Sequence, residues 1–573
     1  LGEVAVTGLT AVGTDRTNPK IFLLNNYQAG DSLFVTHGRQ NLKLGGSYDR
    51  FQDNGTSESR SRGQLRFRSL ADLLRFKVWD LQGATIDSDF DRGNRQSLAG
   101  AFIQDDFQVN HRLTLNGGVR YEYVSTPTEV NGKVGNLRNI LDDNVTLGDP
   151  FFQPLHHTVA PRVGFALDVS GNGKTVVRSG FGVYYDQPLF QVYRLPAYRS
   201  LPYVNLGRLT NVTALPVDPA EFKGVDTSTE SIQFDFRPTY AMHYNFNVQR
   251  ELAGMVLSLS YVGSRGVNLI ANSDTNTAYP QILSDGREYF PAGSSRRNPN
   301  FGQVRTILQG FDSNYNSLTA GVLQRFHRGL QYQLSYTYGK SIDDASGQDR
   351  LEFSNGQAYV FDPYNRLLNR GRSDFDTRHT FTANTSYDLP IGESLKGVAR
   401  QILHGWQLNA IVMMASGVPF TPLVDGDPDR DGSDGNAARP NLLPGVSLIP
   451  SGGSTPDFWF NPAAFAPPEV GFRGTAGRNI LNGPDFRTLD VGVVKNFRIS
   501  ETCSVQFRTE FFNLFNRANF SMPSNSENGE LIYSYTPAAG GKPARFSQAG
   551  SVGEIFSTVG DSREIQFALK FVF

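Results

Sequence analysis

Hydrophobic and polar residues alternate with a period of two along most of this chain. From Glu564 onward, Ile565, Phe567, Leu569, Phe571 and Phe573 share one face, while Glu564, Gln566, Ala568 and Lys570 share the other. Leu113, Leu115, Val119, Tyr121 and Tyr123 alternate with Thr114, Asn116, Arg120 and Glu122. Leu330, Tyr332, Leu334, Tyr336 and Tyr338 alternate with Gln331, Gln333, Ser335 and Thr337. A period of two sends successive side chains to opposite sides of a β-strand, so each run predicts a strand with one apolar and one largely polar face. Shorter alternating runs recur at 244–249, 257–261, 381–389, 406–414 and 505–511.

The pattern predicts seventeen strands, at 31–37, 40–51, 63–68, 74–87, 96–108, 111–124, 157–169, 174–186, 238–251, 255–266, 312–326, 329–341, 374–388, 404–418, 484–498, 503–516 and 562–573. Many approach the about 9–11 residues that a tilted strand needs to cross a bilayer, against about 5–6 in ordinary sheets. The connections also alternate. Short, turn-rich links at 37–38, 109–110, 171–173, 252–254, 327–328 and 499–502 fall on one side, where only 389–403 is longer. Long links at 125–156, 187–237, 267–311, 342–373, 419–483 and 517–561 fall on the other. A soluble sandwich has no reason to sort its loops this way, whereas an outer-membrane barrel keeps short inner turns and long outer loops. The prediction is an all-β, antiparallel transmembrane barrel with its apolar face toward lipid. Shifting 111–124 by one residue would turn Arg120 and Glu122 into hydrocarbon, at about 2–4 kcal/mol for a midplane Arg. Tyr121, Tyr123, Tyr184, Tyr185, Tyr336, Tyr338 and Trp406 fall toward strand ends, where aromatic girdles belong.

Length and composition adjust this picture only slightly. A chain of 573 residues would ordinarily suggest three or four domains, but barrels run long as single units. Its 54 Lys+Arg against 55 Asp+Glu give no basic footprint for nucleic acid. A mean hydropathy of −0.35 fits strands that show lipid only every second side chain. Cys503 is the one cysteine, which excludes a disulfide framework and a cysteine zinc site. Leu1 is preceded by neither an initiator Met nor a signal segment, which implies a processed start or a piece of a longer chain. The strand count points the same way. Seventeen is odd, so closing the sheet would set its first and last strands parallel, whereas bacterial single-chain barrels close antiparallel with even counts. The expectation is an odd number of further strands upstream.

Several stretches resemble the C-terminal barrel of TonB-dependent outer-membrane receptors, specifically the Oar-like group. They include HGRQNLKLGG (37–46), FIQDDFQVNHRLTLNGGVRYE (102–122), APRVGFALDVSGNGKTVVRSGFGVYYD (160–186) and YVGSRG (261–266). NYNSLTAGVLQRFHRGLQYQLSYTYGKSIDDAS (314–346), SDFDTRHTFTANTSYDLP (373–390) and GWQLNAIVMMASGVPF (405–420) continue the likeness. The most specific blocks are 477–520 and REIQFALKFVF (563–573). The resemblance implies a barrel of about twenty-two strands around an N-terminal plug, often with a small sandwich domain ahead of it. It also implies a TonB box that touches the TonB energy-coupling complex, and proton-driven import of a bulky solute through the outer membrane. Plug, TonB box and sandwich are absent from this sequence, so residues 1–573 would be the barrel portion alone and import would belong to the intact parent. Ile565, Phe567, Leu569, Phe571 and the terminal Phe573 resemble the signal read by the barrel-assembly machinery. The rival class is a structural or adhesion barrel without active transport.

Candidate chemistry is sparse. GNGKT (171–175) lacks the first Walker glycine, since Asp168 stands there, and it reads as a hairpin turn. Asp427, Asp429, Asp431 and Gly432 open like a calcium loop, but position twelve is Ala438. A calcium site there would be weak, and a solvated acidic outer loop is the plainer reading. Adjacent His156 and His157 would point to opposite faces of a strand and cannot share a metal. No catalytic motif is present, so an enzyme is not expected. Alternation places Arg120, Glu122, Arg162, Asp168, Arg178, Asp186, Gln506, Arg508 and Glu510 on the lumen face. Aromatic loop residues 458–460, Phe465 and 289–290 are the expected ligand contacts, because outer loops escape the backbone constraints of the wall.

Overall fold

The computed structural model describes residues 2–573 apart from 7–8, 156–157, 211, 219–220, 222–226, 347–357, 434–437, 501, 524–529 and 539–541. Its wall is a single antiparallel meander of fifteen long strands. These are β1 (Lys20–His37), β2 (Gln40–Ser57), β3 (Asp91–Gln108), β4 (Leu113–Val124), β5 (Val159–Asp168) and β6 (Thr175–Asp186). They continue with β7 (Thr239–Leu252), β8 (Met255–Asp274), β9 (Val304–His327), β10 (Leu330–Asp343) and β11 (His379–Asp388). The last four are β12 (Trp406–Ala415), β13 (Phe486–Arg498), β14 (Ser504–Phe512) and β15 (Glu564–Val572). Each pairs with its neighbours in chain order, and among the described residues β1 and β15 each have one partner strand in the wall. Both edge strands are exposed along nearly their whole length.

The register confirms which face is apolar. Phe165 lies opposite Leu115 and Ser179, Phe246 opposite Ser179 and Tyr261, and Leu318 opposite Tyr261 and Tyr338. These rows are open to the surroundings: Leu115, Phe246, Tyr261, Leu318 and Tyr338 all rank among the exposed large hydrophobics. The neighbouring row carries Gln104, Gly118, Arg162 and Gly182 instead. A sandwich would have buried the first set and bathed the second. No helix among the described residues is long and apolar enough to cross a membrane, and the strands supply the apolar band.

Two of the seventeen expected strands are not in the wall. The segments 63–68 and 74–87 instead supply Gln64–Phe67, part of a one-turn helix Leu70–Leu74, and Asp80–Ala84. They build a separate five-stranded sheet with Glu3–Val6, Val12–Gly13 and Leu206–Leu209. Strands of four or five residues are too short to cross a bilayer. This sheet has its own small core of Val6, Leu65, Phe67, Val78 and Leu81, and Asp80 is ion-paired to Arg66 and Arg208. Among the described residues the wall count is therefore fifteen, still odd. The first strand also begins at Lys20 rather than 31, and β9 starts eight residues earlier than the alternation implies, because wall strands extend past the apolar band into the loop layer.

Leu259 (49% exposed) is the fifth residue of β8 from the short turn, near the middle of the about 9–11 residues that cross a bilayer, and Ser260 points to the opposite face. Leu259→Arg is expected to lower folding stability in lipid vesicles by about 2–4 kcal/mol, and Ser260→Arg by about 1 kcal/mol or less. Equal losses in denaturant-unfolding titrations would show the face assignment to be wrong.

Candidate functional site

The long links do not hang free. They fold into a layer over one end of the wall, with its own hydrophobic cores. One core gathers Val134, Phe151, Phe152, Leu155, Tyr193, Tyr198, Ile232, Phe236 and Ile307 from two links and β9. Its centre is α1 (Phe190–Arg199), a ten-residue helix in a region expected to be loop. Phe190, Tyr193 and Ala197 recur at helical spacing and turn the helix onto the polar face of β2 and β3. The Tyr198 hydroxyl donates to Asp53 at 2.7 Å, the Tyr193 hydroxyl to Gln96 at 3.1 Å, and Arg92 Nε to the Ala197 carbonyl at 3.0 Å. Phe22 on β1 closes the cluster, edge-on to Tyr198 at 5.3 Å. Helix α1 thus lies across the mouth of the wall on its inner side.

A second core holds Phe420, Phe460, Ala464, Phe465, Ala476, Leu481, Ile532 and Val552. This corrects the expected ligand contacts. Phe460 and Phe465 are 3% exposed and Phe290 is 0% exposed, while the Tyr289 ring packs tilted against Phe472 with centroids 4.9 Å apart. Trp459 packs against the same core, and Phe458 alone of that set is open to solvent. These aromatics hold the loops together, and an apolar run inside a long loop does not by itself distinguish a loop core from a ligand surface.

The acidic sequence at 427–431 sits within this layer. Oxygens of Asp427, Asp429 and Asp431 lie within 4.8 Å of one another, and the last two residues are buried. Asp427 Oδ2 accepts from the Gly432 N–H at 3.3 Å and Asp431 Oδ1 from the Ser433 N–H at 2.7 Å. Asp427 Oδ1 is shielded and lacks a hydrogen-bond partner. Burial and the neighbouring Asp431 push the Asp429 carboxyl well above the usual range, and Asp427 rises for the same two reasons. Three converging carboxylates can hold a divalent cation such as calcium. Ala438, in place of the closing Glu, spends its carbonyl on the Val424 N–H at 2.7 Å.

Arg473 was not visible in the sequence as part of this site. Its guanidinium lies 3.6 Å from Asp431 and 4.0 Å from Asp429, pairs closely with Asp362, and reaches Glu288 at 3.8 Å. Burial works against its charge, but Asp362, Asp429 and Asp431 outweigh that and raise its pKa. The four acids come from three different links, so no local spacing could have announced the cluster.

The residues expected on the lumen face divide. Arg120 Nε donates to Glu122 at 2.6 Å, and Gln187 donates to the other Glu122 oxygen at 2.7 Å. Arg162 lies over the Tyr184 ring at 4.3 Å, and Arg178 donates to Gln249 at 2.7 Å. Gln506 donates to Asn496 at 2.8 Å and accepts from Arg508, while Glu510 stands opposite Gly492. Asp186 ends β6, opposite Thr239. Asp168 is turned into the hairpin below it, accepting from Gly171 and Gly173 at 2.9 and 2.7 Å, so GNGKT is a turn. Arg120, Arg162, Lys43, Phe102, Tyr184 and His243 border a concavity of about 430 Å³ floored by glycines. His156 and His157 lie outside the described residues. Phe573 is 99% exposed, and Ile565, Phe567, Leu569 and Phe571 are all exposed on one face of β15.

Two predictions follow from the acidic cluster. Arg473→Met leaves buried carboxylates without their cation and is expected to cost about 3–5 kcal/mol in the loop layer, read as faster amide exchange at 425–433 with the wall unchanged. The raised carboxyl of Asp429 keeps a proton in the folded chain at a pH where the unfolded chain has lost it. That stabilisation is present below the ordinary carboxylate range and fades as pH rises through the raised value. Calcium binding should therefore strengthen over the same rise and release a proton, seen as buffer-dependent heat in calorimetry, and Asp429→Asn should reduce that release.

Comparison with known proteins agrees with this architecture. The TonB-dependent transporter Oar of Myxococcus xanthus is 23% identical over 78% of this chain, which spans 38% of that protein's length. The crystal structure of the outer membrane transporter YddB from Escherichia coli superimposes with a TM-score of 0.51 at 9% identity, covering all of this chain and 57% of that one. The chain thus spans well under two thirds of either relative, and at this identity YddB speaks for the fold alone. The family model described as an outer membrane beta barrel domain matches residues 1–566. The chain accordingly belongs to the outer membrane beta barrel domain family, which places it in the outer membrane.

Proposed function

We propose that this chain is the barrel portion of an Oar-like TonB-dependent transporter that imports a bulky solute across the outer membrane. The carrying observation is the combination of an outward apolar wall with a packed loop layer over one mouth. A passive pore needs no such cover. The likeness to the Myxococcus xanthus transporter supports the same reading. Both named relatives are transporters, which supports a transport role over an enzymatic one.

In this reading a plug, a TonB box and a sandwich domain precede the wall in the parent protein, and upstream strands complete it. The exposed edges of β1 and β15 and their odd count support that arrangement, since unpaired backbone in hydrocarbon costs several kcal/mol per group. Arg120, Glu122, Arg162, Arg178, Asp186, Gln506, Arg508 and Glu510 would then face the plug and the solute path. The partners are outer-membrane lipid, the TonB complex, the solute, and the barrel-assembly machinery reading Ile565 to Phe573.

The test is genetic and biochemical. The parent gene should encode a plug and TonB box, and deleting that box should abolish energised uptake while leaving the barrel in the outer-membrane fraction. A parent that lacks both would favour the adhesion or structural barrel. Deleting Phe573 should reduce heat-modifiable, membrane-inserted protein several-fold; unchanged insertion would remove the sorting role.

A further inference from the structure

The link between β11 and β12 stands apart from every other connection on its side of the wall. Its neighbours there run from two to six residues, whereas this one extends from 389 to 405. It contains α2 (Gly397–Leu403), a helix with no buried residue. Val398 is 75% exposed, Ile402 57%, Ile391 45% and Leu403 43%. Val398 and Ile402, four apart, share one side of the helix, and Arg400 falls on the opposite side. A water-facing turn would have little reason to display four large aliphatic side chains.

The helix is fixed rather than loosely tethered. The Trp406 indole N–H donates to the Ile402 carbonyl at 2.9 Å, and Gln401 donates to the Arg498 carbonyl at 3.2 Å. The Lys495 ammonium donates to the His404 carbonyl and lies 5.6 Å from the Trp406 ring centroid and 4.8 Å from that of Phe497. Gly405, at φ +86°, brings the link so close to β13 that a Cβ would lie 2.7 Å from the Asn496 carbonyl oxygen. Trp406 pairs with Lys495 in the register and shares its face of β12 with Leu408 and Met414, the face that meets Tyr387 and Phe381 on β11. The exposed side chains of α2 therefore continue the outward apolar band at its lower edge, just where an indole and a bent-back lysine belong.

We propose that α2 is an interfacial anchor lying in the bilayer leaflet on the short-turn side. Val398 and Ile402, with Ile391 from the same link, enter the acyl boundary, and Lys396 and Arg400 face anionic phospholipid headgroups. An in-plane segment of this kind binds through buried apolar area together with attraction to anionic lipid. Continuity with the lipid-facing wall identifies the occupant as phospholipid, and the two exposed cations identify its charge. The anchor requires an outer-membrane barrel but not import, so it stands or falls separately from the transport reading.

The experiment uses the full chain carrying Cys503→Ser, with Val398→Cys or Arg400→Cys labelled by a nitroxide and reconstituted in vesicles containing anionic phospholipid. Folding of both variants is checked by heat-modifiable migration. The ratio of oxygen to water-soluble nickel-chelate collision rates is expected to be on the order of fivefold higher at 398 than at 400, as for one face in lipid and the other toward water. Equal ratios at the two positions would overturn the proposal. So would a label at 398 shielded from both reagents, because that would place protein rather than lipid against the helix. Exchanging the anionic lipid for a zwitterionic one should lower the ratio at 398 about twofold, and no change would remove the headgroup half of the claim.

Discussion

Backbone hydrogen bonding in hydrocarbon is the constraint behind this architecture. Water cannot satisfy an N–H or C=O at mid-bilayer, so each wall strand must find its partners in adjoining strands. The meander from β1 to β15 meets that demand with the simplest connectivity available, each strand beside the next in sequence. Once the ladder is fixed, the pleat decides the rest. Side chains one apart face different solvents, and the two chemistries interleave along every strand. Rows such as Phe165 with Leu115 and Arg162 with Gly118 run side by side because the register admits no other arrangement.

Beyond the apolar band the same chain obeys ordinary globular rules. Wall strands lengthen there, links acquire aromatic cores, and charges are buried in pairs. Asp274 pairs with Arg296, Asp376 with Arg372 and Arg378, and Asp343 with Arg478, each carboxylate almost fully enclosed. Removing one partner from such a pair is costly, so the loop layer behaves as a folded cap and not as a set of independent loops. The clamp on Arg473 is the most connected case, because it ties residues separated by nearly two hundred positions in the chain into one electrostatic unit.

Legibility in the sequence followed this division. The stretch from Leu113 to Tyr123 announced itself because its two faces meet different solvents, and its strand bounds were read to within two residues. KIFLLNNYQAG at the start of β1 gave no alternation, since that half of the strand lies beyond the apolar band. Helix α1 carries a helical stripe in Phe190, Tyr193 and Ala197, but ten residues with a proline, Pro196, among them leave that stripe faint within the link 187–237. The acidic triad was legible because its three members are local. Its partner Arg473 was not, because pairing across loops leaves no mark on spacing. Phe460 and Phe465 misled for a related reason: a loop that folds on itself needs the same aromatics as a loop that binds.

Helix α1 has a further consequence. Tied to Asp53 and Gln96, it spans the inner surface of β2 and β3 like a bar across part of a doorway. The hydroxyls of Tyr193 and Tyr198 are already committed to the wall and the Ala197 carbonyl to Arg92, so this quadrant of the mouth can open only if the helix gives up all three bonds at once.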